Sequence, residues 1–158
     1  KLNNLNIKQL LIKKIKESKI SISVAESCTG GQLSAAFVSQ AGASDFFLGG
    51  VVTYSTNSKI DILKIDPKKV NLYGVVSQEI ANEMSLKVKE LFDSDISIST
   101  TGYAGPVSVN PNDITGRIFI SISFKDKFIE KECNFNGERN ENIISTVDQV
   151  ISMLNNIL

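Results

Sequence analysis

Three stretches in which isoleucine alternates with small polar residues constrain this chain more than anything else in it. Residues 19–24 read KISISV, residues 95–101 read DISISTT, and Ile118, Ile120, Ile122 and Phe124 alternate along 118–124. A period of two belongs to a β-strand, whose side chains point to opposite faces in turn. GGVVTYS (49–55) predicts a further strand. Phe128 to Phe135 alternates again, and the intervening KDK makes it the second arm of an antiparallel hairpin. Between these strands the period changes to that of a helix. Ile7, Leu10, Leu11 and Ile15 share a face over 5–18, and Leu33, Ala36, Phe37 and Ala41 do so from Thr29 to about Gln40. A short helix is predicted at 56–64. Ser77 reads as an N-cap, with Glu79 in the first turn, for a helix burying Ile80, Met84, Val88 and Leu91. A last helix from about Glu138 buries Ile143, Val147, Val150, Ile151 and Leu154. Helices interleaved with strands, plus one hairpin, predict an α/β fold layered on a mixed sheet. With no repeat, low-complexity tract or linker in 158 residues, the expectation is a single domain over 1–158.

The composition excludes several functions. Seventeen basic and seventeen acidic residues cancel, so no global field attracts nucleic acid or an anionic membrane. No apolar run is long enough for a membrane span, and the start does not resemble a signal peptide. Cys28 and Cys133 are too few and too far apart for a disulfide framework, which points to a reducing cytoplasm. The chain has no histidine. A Ser-His-Asp triad, a Cys-His pair and the usual zinc sites are therefore excluded, and a hydrolase would need lysine, tyrosine or a carboxylate as its base. No metal or cofactor is expected.

Three segments remain as candidate chemistry. ESCTGG (26–31) falls where a strand ends and a helix begins, the place where open α/β sheets present ligands. Gly30 and Gly31 each cost up to about 1 kcal/mol in a first helical turn, so the backbone must bend sharply or approach something there. A helix N-terminus also offers N–H groups to a phosphate or an oxyanion. Ser27 or Thr29 as a plain N-cap is the competing reading, and Cys28 has little beyond the helix end to activate it. TYSTNSK (53–59) places Tyr54 at a strand end and Lys59 near a helix start, where the macrodipole disfavours its charged form. That suits a base, although a solvated surface lysine fits the same residue. TTGYAGP (100–106) follows a strand, and its Gly102 and Gly105 permit either a backbone cradle or a simple turn.

In this order and spacing, AESCTGG, GGVVTYSTNSK, GVVSQE, TGYAGP and FNGER resemble the carboxy-terminal domain of the CinA family, over about residue 4 to the C-terminus. That family includes stand-alone nicotinamide-nucleotide amidohydrolases. The resemblance implies a three-layer α/β/α fold with a mixed, mainly parallel sheet. It implies hydrolysis of the carboxamide of nicotinamide mononucleotide to nicotinate mononucleotide and ammonia, by serine–lysine chemistry without a metal. On this resemblance Ser27 matches the nucleophile, Lys59 the base and Tyr54 an assisting hydroxyl. Thr29, Gly30, Gly31, Thr101, Gly102, Tyr103, Gly105 and Arg139 fall at substrate-binding positions. A homo-oligomer, a dimer, is implied as well. The chain departs from the family where TGYAGPVSVNPND replaces a TGIAGP followed by glycines, and where Gly116-Arg117 replaces GT. These changes favour the second reading, a nucleotide- or phosphate-binding module with weak or no catalysis. A third, an interaction protein of competence or DNA repair, rests on family association alone.

Overall fold

In the computed structural model, residues 4–106 and 110–158 are described, with side-chain environments from Lys8 onward. The side-chain environment of Ile7, and the part of the altered loop that directly follows Pro106, lie outside what is described. The chain runs α1 (Asn4–Ser18), β1 (Ile22–Glu26), α2 (Gln32–Val38), β2 (Phe47–Val52), α3 (Thr56–Asp61), α4 (Pro67–Tyr73), α5 (Gln78–Phe92), β3 (Ile96–Gly102), β4 (Arg117–Phe124), β5 (Lys127–Asn134) and α6 (Arg139–Ile157). A single 3-10 turn, Ala43–Asp45, precedes β2.

The strands form one five-stranded sheet in the order β2-β1-β3-β4-β5. β2, β1 and β3 are mutually parallel, whereas β4 pairs antiparallel with both β3 and β5. Only β4 is therefore reversed, and the sheet is mixed and mainly parallel. The β4–β5 hairpin closes through Lys125 and Asp126, with φ of 49° and 60°. Two consecutive left-handed residues are what a tight turn matched to the twist of the strands requires.

Helices cover both faces, giving three layers. On one face α1, α2 and α6 bury Leu11, Ile15, Leu33, Phe37, Val147, Val150 and Leu154 against Ile22, Val24, Ile96, Ile98, Ile118, Ile120 and Ile122. On the other, α4 and α5 supply Val70, Ile80, Met84 and Val88. The isoleucines of the alternating strands fill the first layer, and their serines meet α5. Ser97 Oγ donates to the Ser85 carbonyl at 2.6 Å, and Ser99 Oγ to the Ala81 carbonyl at 2.5 Å. The Ser121 and Ser85 hydroxyls lie 3.0 Å apart. The polar half of each alternation is thus buried and hydrogen-bonded, not solvated.

Several local expectations shift. The first strand begins at Ile22, because Lys19 leaves α1 in a left-handed conformation, φ 53°. In α1 the buried stripe includes Ile12, and Leu10 is exposed; Leu91 of α5 and Ala41 are exposed too. Helix α2 starts only at Gln32, after a turn in which Gly30 and Gly31 have φ of 56° and 104°. The unanticipated α4 has a recognisable start, with Asp66 capping the Lys68 N–H and Pro67 in the first turn. Ser77 does cap α5, accepting from the Ile80 N–H at 3.2 Å.

Gly116 joins the site-bearing loop to β4 with φ 83°, and a Cβ there would stand 1.8 Å from the Phe135 carbonyl oxygen. Gly116→Ala combines backbone strain with a backbone clash, and is expected to cost roughly 2–4 kcal/mol. Urea denaturation checks this; a loss under about 0.5 kcal/mol, the size of an ordinary surface effect, would contradict it.

Candidate active site

Parallel strands β1, β2 and β3 end on the same side of the sheet, and the three candidate segments leave it there. Ser23, Ala25 and Ser27 share one face by the period of two, so Ser27 emerges toward α3. Its N–H is fixed to the Thr100 carbonyl at 3.0 Å, and the neighbouring Thr53 N–H to the Glu26 carbonyl at 2.9 Å. The nucleophile candidate thus stands between the ends of β2 and β3 on backbone that cannot drift.

Lys59 meets it there. Its amine lies 2.8 Å from Ser27 Oγ, 2.7 Å from the Thr53 carbonyl oxygen and 3.3 Å from that of Tyr54. The lysine is 1% exposed and Ser27 7%. No carboxylate contacts the amine among the described residues, so burial disfavours its charged form and lowers its pKa from 10.5 to about 8. The sequence placed Lys59 in the first turn of α3, with the helix dipole as the cause. Instead Lys59 is in the closing turn of a six-residue helix, and desolvation produces the shift. The amine donates to the Thr53 and Tyr54 carbonyls and to Ser27 Oγ; once deprotonated it keeps two N–H groups for the carbonyls and has a lone pair for the serine hydroxyl.

Cys28, which lines the adjoining cleft, is disfavoured as a nucleophile by its burial. Burial pushes its thiol up to about 12, so no thiolate is available near neutrality. Cys28→Ser is expected to keep turnover within about threefold of the parent, since it alters neither Ser27 nor Lys59. A loss above a hundredfold would return Cys28 to candidacy.

The remaining candidates divide into two groups. Thr29, Gly30, Tyr54 and Arg139 line a cleft of about 510 Å³ whose other walls include Gln32, Ile143 and Ile144. Arg139 Nη2 donates to the Tyr54 phenol at 3.1 Å, and Arg139 Nη1 donates to the Gly105 carbonyl. Tyr54 therefore reaches Lys59 through its backbone carbonyl, while its phenol, on a 60% exposed residue, belongs to the cleft mouth. Gly31 is the N-cap of α2 and has open space on the side where a Cβ would lie, as does Gly30; positive φ alone accounts for both glycines.

Thr101, Gly102 and Tyr103 are not brought into this cleft. The Thr101 hydroxyl donates to the Val75 carbonyl at 2.7 Å, holding the loop before α5. Gly102 pairs with Ile118 in the sheet. The Tyr103 phenol is raised by burial first and by its hydrogen bond with Asp113 second.

Two positions escaped the sequence reading. Asn142, buried in α6, donates to the Ala104 and Gly137 carbonyls, both at 2.9 Å, and tethers the 104–105 turn to the start of that helix. Nothing in the local sequence distinguishes it from a surface asparagine. Glu26 had a signal, a carboxylate closing a strand just before a helix start. It receives the Leu33 and Ser34 N–H groups at 2.8 and 3.0 Å, so the N-terminus of α2 is already occupied by the chain's own anion. The Leu33 and Ser34 N–H groups at that helix end are therefore not open to a phosphate or an oxyanion.

A family model for the CinA C-terminal domain matches residues 4–158. The chain belongs to the CinA C-terminal domain family. Among CinA relatives, a CinA-like protein of Flavobacterium psychrophilum is 36% identical over 92% of this chain and 35% of its own length. A CinA-like protein of Thermotoga neapolitana is 38% identical over 88% of this chain and 34% of its own. The chain spans about a third of the length of these curated relatives. Solved structures agree in fold. A CinA superfamily protein of Escherichia coli superposes with TM-score 0.93 at 26% identity, covering 99% of this chain and 91% of that one. A competence damage-inducible protein A of Klebsiella pneumoniae gives 0.92 at 28%, covering 96% and 94%. No helix among the described residues is long and apolar enough to cross a membrane.

Proposed function

We propose that this CinA domain is a serine–lysine amidohydrolase that cleaves the carboxamide of nicotinamide mononucleotide to nicotinate mononucleotide and ammonia. The observation that carries the reading is the 2.8 Å contact between Ser27 Oγ and a buried Lys59 amine with a lowered pKa. A serine hydroxyl is a nucleophile only when a base takes its proton, and a neutral lysine at this distance is such a base.

In the proposed reaction Lys59 accepts the hydroxyl proton as Oγ attacks the amide carbon. The Thr29 N–H, which has no partner among the described residues and belongs to a residue lining the cleft, donates to the developing oxyanion. Lys59 then passes its proton to the departing nitrogen, which leaves as ammonia. Water, deprotonated by the same amine, attacks the acyl ester and releases the carboxylate product and Ser27. Arg139 and Tyr54, at the mouth of the cleft, suit the phosphate of a mononucleotide: a guanidinium supplies directed donors and the phenol one more. The cleft volume of about 510 Å³ suits a ligand of this size.

The direct test is to incubate the purified chain with nicotinamide mononucleotide and follow ammonia together with the nicotinate product. Stoichiometric appearance of both is expected. Saturable binding of the nucleotide with no ammonia would make the protein a binding module.

A further inference from the structure

We infer that Glu26 is a positioning residue for catalysis: its buried carboxylate holds the Ser27–Gly31 turn in the conformation that presents the Thr29 N–H to the reacting carbonyl. The inference rests on the serine–lysine reading above. Glu26 is 0% exposed and bonded directly to the nucleophile residue. Four donors converge on it: the Thr29 hydroxyl at 2.6 Å, the Leu33 and Ser34 N–H groups at 2.8 and 3.0 Å, and the Ser34 hydroxyl at 2.6 Å. Because Thr29 spends its one proton on Glu26, the Thr100 hydroxyl, 2.8 Å away, must donate to Thr29. A continuous line of hydrogen bonds therefore runs from β3, beneath the turn, to the start of α2.

Backbone bonds close the turn, from the Gly30 N–H to the Ser27 carbonyl at 3.1 Å and from the Gln32 N–H to the Thr29 carbonyl at 2.9 Å, and Glu26 adds the side-chain tie to the start of α2. Gly30 and Gly31 carry no side chains, and nothing lies within 4 Å of where their Cβ atoms would be. Their positive φ values, 56° and 104°, are permitted but not enforced by glycine. An oxyanion donor is effective only if its direction is set before charge develops, since reorientation during the reaction consumes the gain. Glu26 sets that direction through Thr29, and closes the end of α2 to competing anions. Its effect belongs in the transition state, where the carbonyl oxygen becomes negative, and not in the binding of the neutral amide.

Glu26→Gln tests this. The amide keeps the shape but turns an NH2 group toward donors, so at least one backbone N–H loses its acceptor. The expected result is a kcat lower by roughly 30-fold, a fraction of what loss of an oxyanion donor costs, with KM within about threefold. Inhibition by pyridine-3-aldehyde mononucleotide, which Ser27 converts to a tetrahedral adduct, should weaken by a similar factor. A kcat within about twofold of the parent per folded molecule would overturn the inference, as would a loss confined to KM. If Glu26→Gln does not fold, the isosteric Thr29→Val cuts the same line of bonds, and Ser39→Ala, at the far end of α2 where the hydroxyl donates to the Ala36 carbonyl, serves as the control. Thr29→Val should lower kcat about tenfold while Ser39→Ala stays within about twofold; equal effects of the two would overturn the proposal. Retained turnover in Ser27→Ala would instead remove the underlying reading. A dead Ser27→Ala beside a normal Glu26→Gln removes only this one.

Discussion

Ser27→Ala is expected to abolish ammonia release from nicotinamide mononucleotide, with kcat falling by roughly 10⁴-fold or more, while the protein stays folded. The substitution deletes one oxygen, and with it the atom that would form the acyl bond. Lys59 then has no proton to accept, and no other hydroxyl is recorded within hydrogen-bond distance of its amine among the described residues. The fold tolerates the change because Ser27 is anchored by its N–H to the Thr100 carbonyl, which alanine keeps. Losing the single side-chain contact costs about 1 kcal/mol. Circular dichroism and a melting curve alongside the assay separate the two effects. Residual turnover above about 10% in the folded variant, far more than loss of a nucleophile leaves, would remove Ser27 as the nucleophile.

The second large effect is at Lys59. Turnover should rise with pH through a titration near 8, the value to which burial lowers the amine, and level off above it. Lys59→Arg keeps the charge but has no accessible neutral form, so it should be as inactive as Lys59→Ala, by roughly 10³-fold or more. Near-normal turnover in Lys59→Arg would exclude the amine as the base. Tyr54→Phe provides the contrast. Its phenol pairs with Arg139, so its loss should raise KM more than it lowers kcat.

The same buried amine makes stability depend on pH with a definite sign. In the folded chain Lys59 titrates near 8, and in the unfolded chain near 10.5. Between these values the unfolded state binds more protons, so stability rises with pH across that window. The penalty is complete below the folded pKa and gone above the unfolded one. At about 1.4 kcal/mol per pH unit it amounts to roughly 3 kcal/mol. Relative to Lys59→Met, which has no titration here, the parent should therefore gain stability from pH 8 to 10.5. A stability difference that does not change with pH would mean that the amine is not desolvated.

Much of this was readable in one dimension. Alternation of isoleucine with serine marked β3 and β4 as strands, because a period of two has no other regular meaning. KDK marked the hairpin, because its tight turn needs two residues able to take positive φ, and Lys125 and Asp126 do. The Ser77 cap was legible because its bond to the Ile80 N–H is local, spanning three residues. The absence of histidine restricted the base to lysine, tyrosine or a carboxylate before any geometry was known.

What the sequence determined by itself was the five strands and the helices other than α4, the family resemblance and the short list of reactive residue types. What only the tertiary structure decided was which face each side chain serves and what surrounds it. The alternation does not say what the serines of the strands face, and packing of α5 makes them a buried, hydrogen-bonded layer. Lys59 and Ser27 are 32 residues apart, and their 2.8 Å contact exists because β1 and β2 end side by side and α3 folds back over them. Tyr54 and Arg139, 85 apart, meet only because α6 returns to the same end of the sheet. The lowered pKa of Lys59 comes from desolvation, a property of everything packed around the amine, and no window of neighbouring residues contains that information.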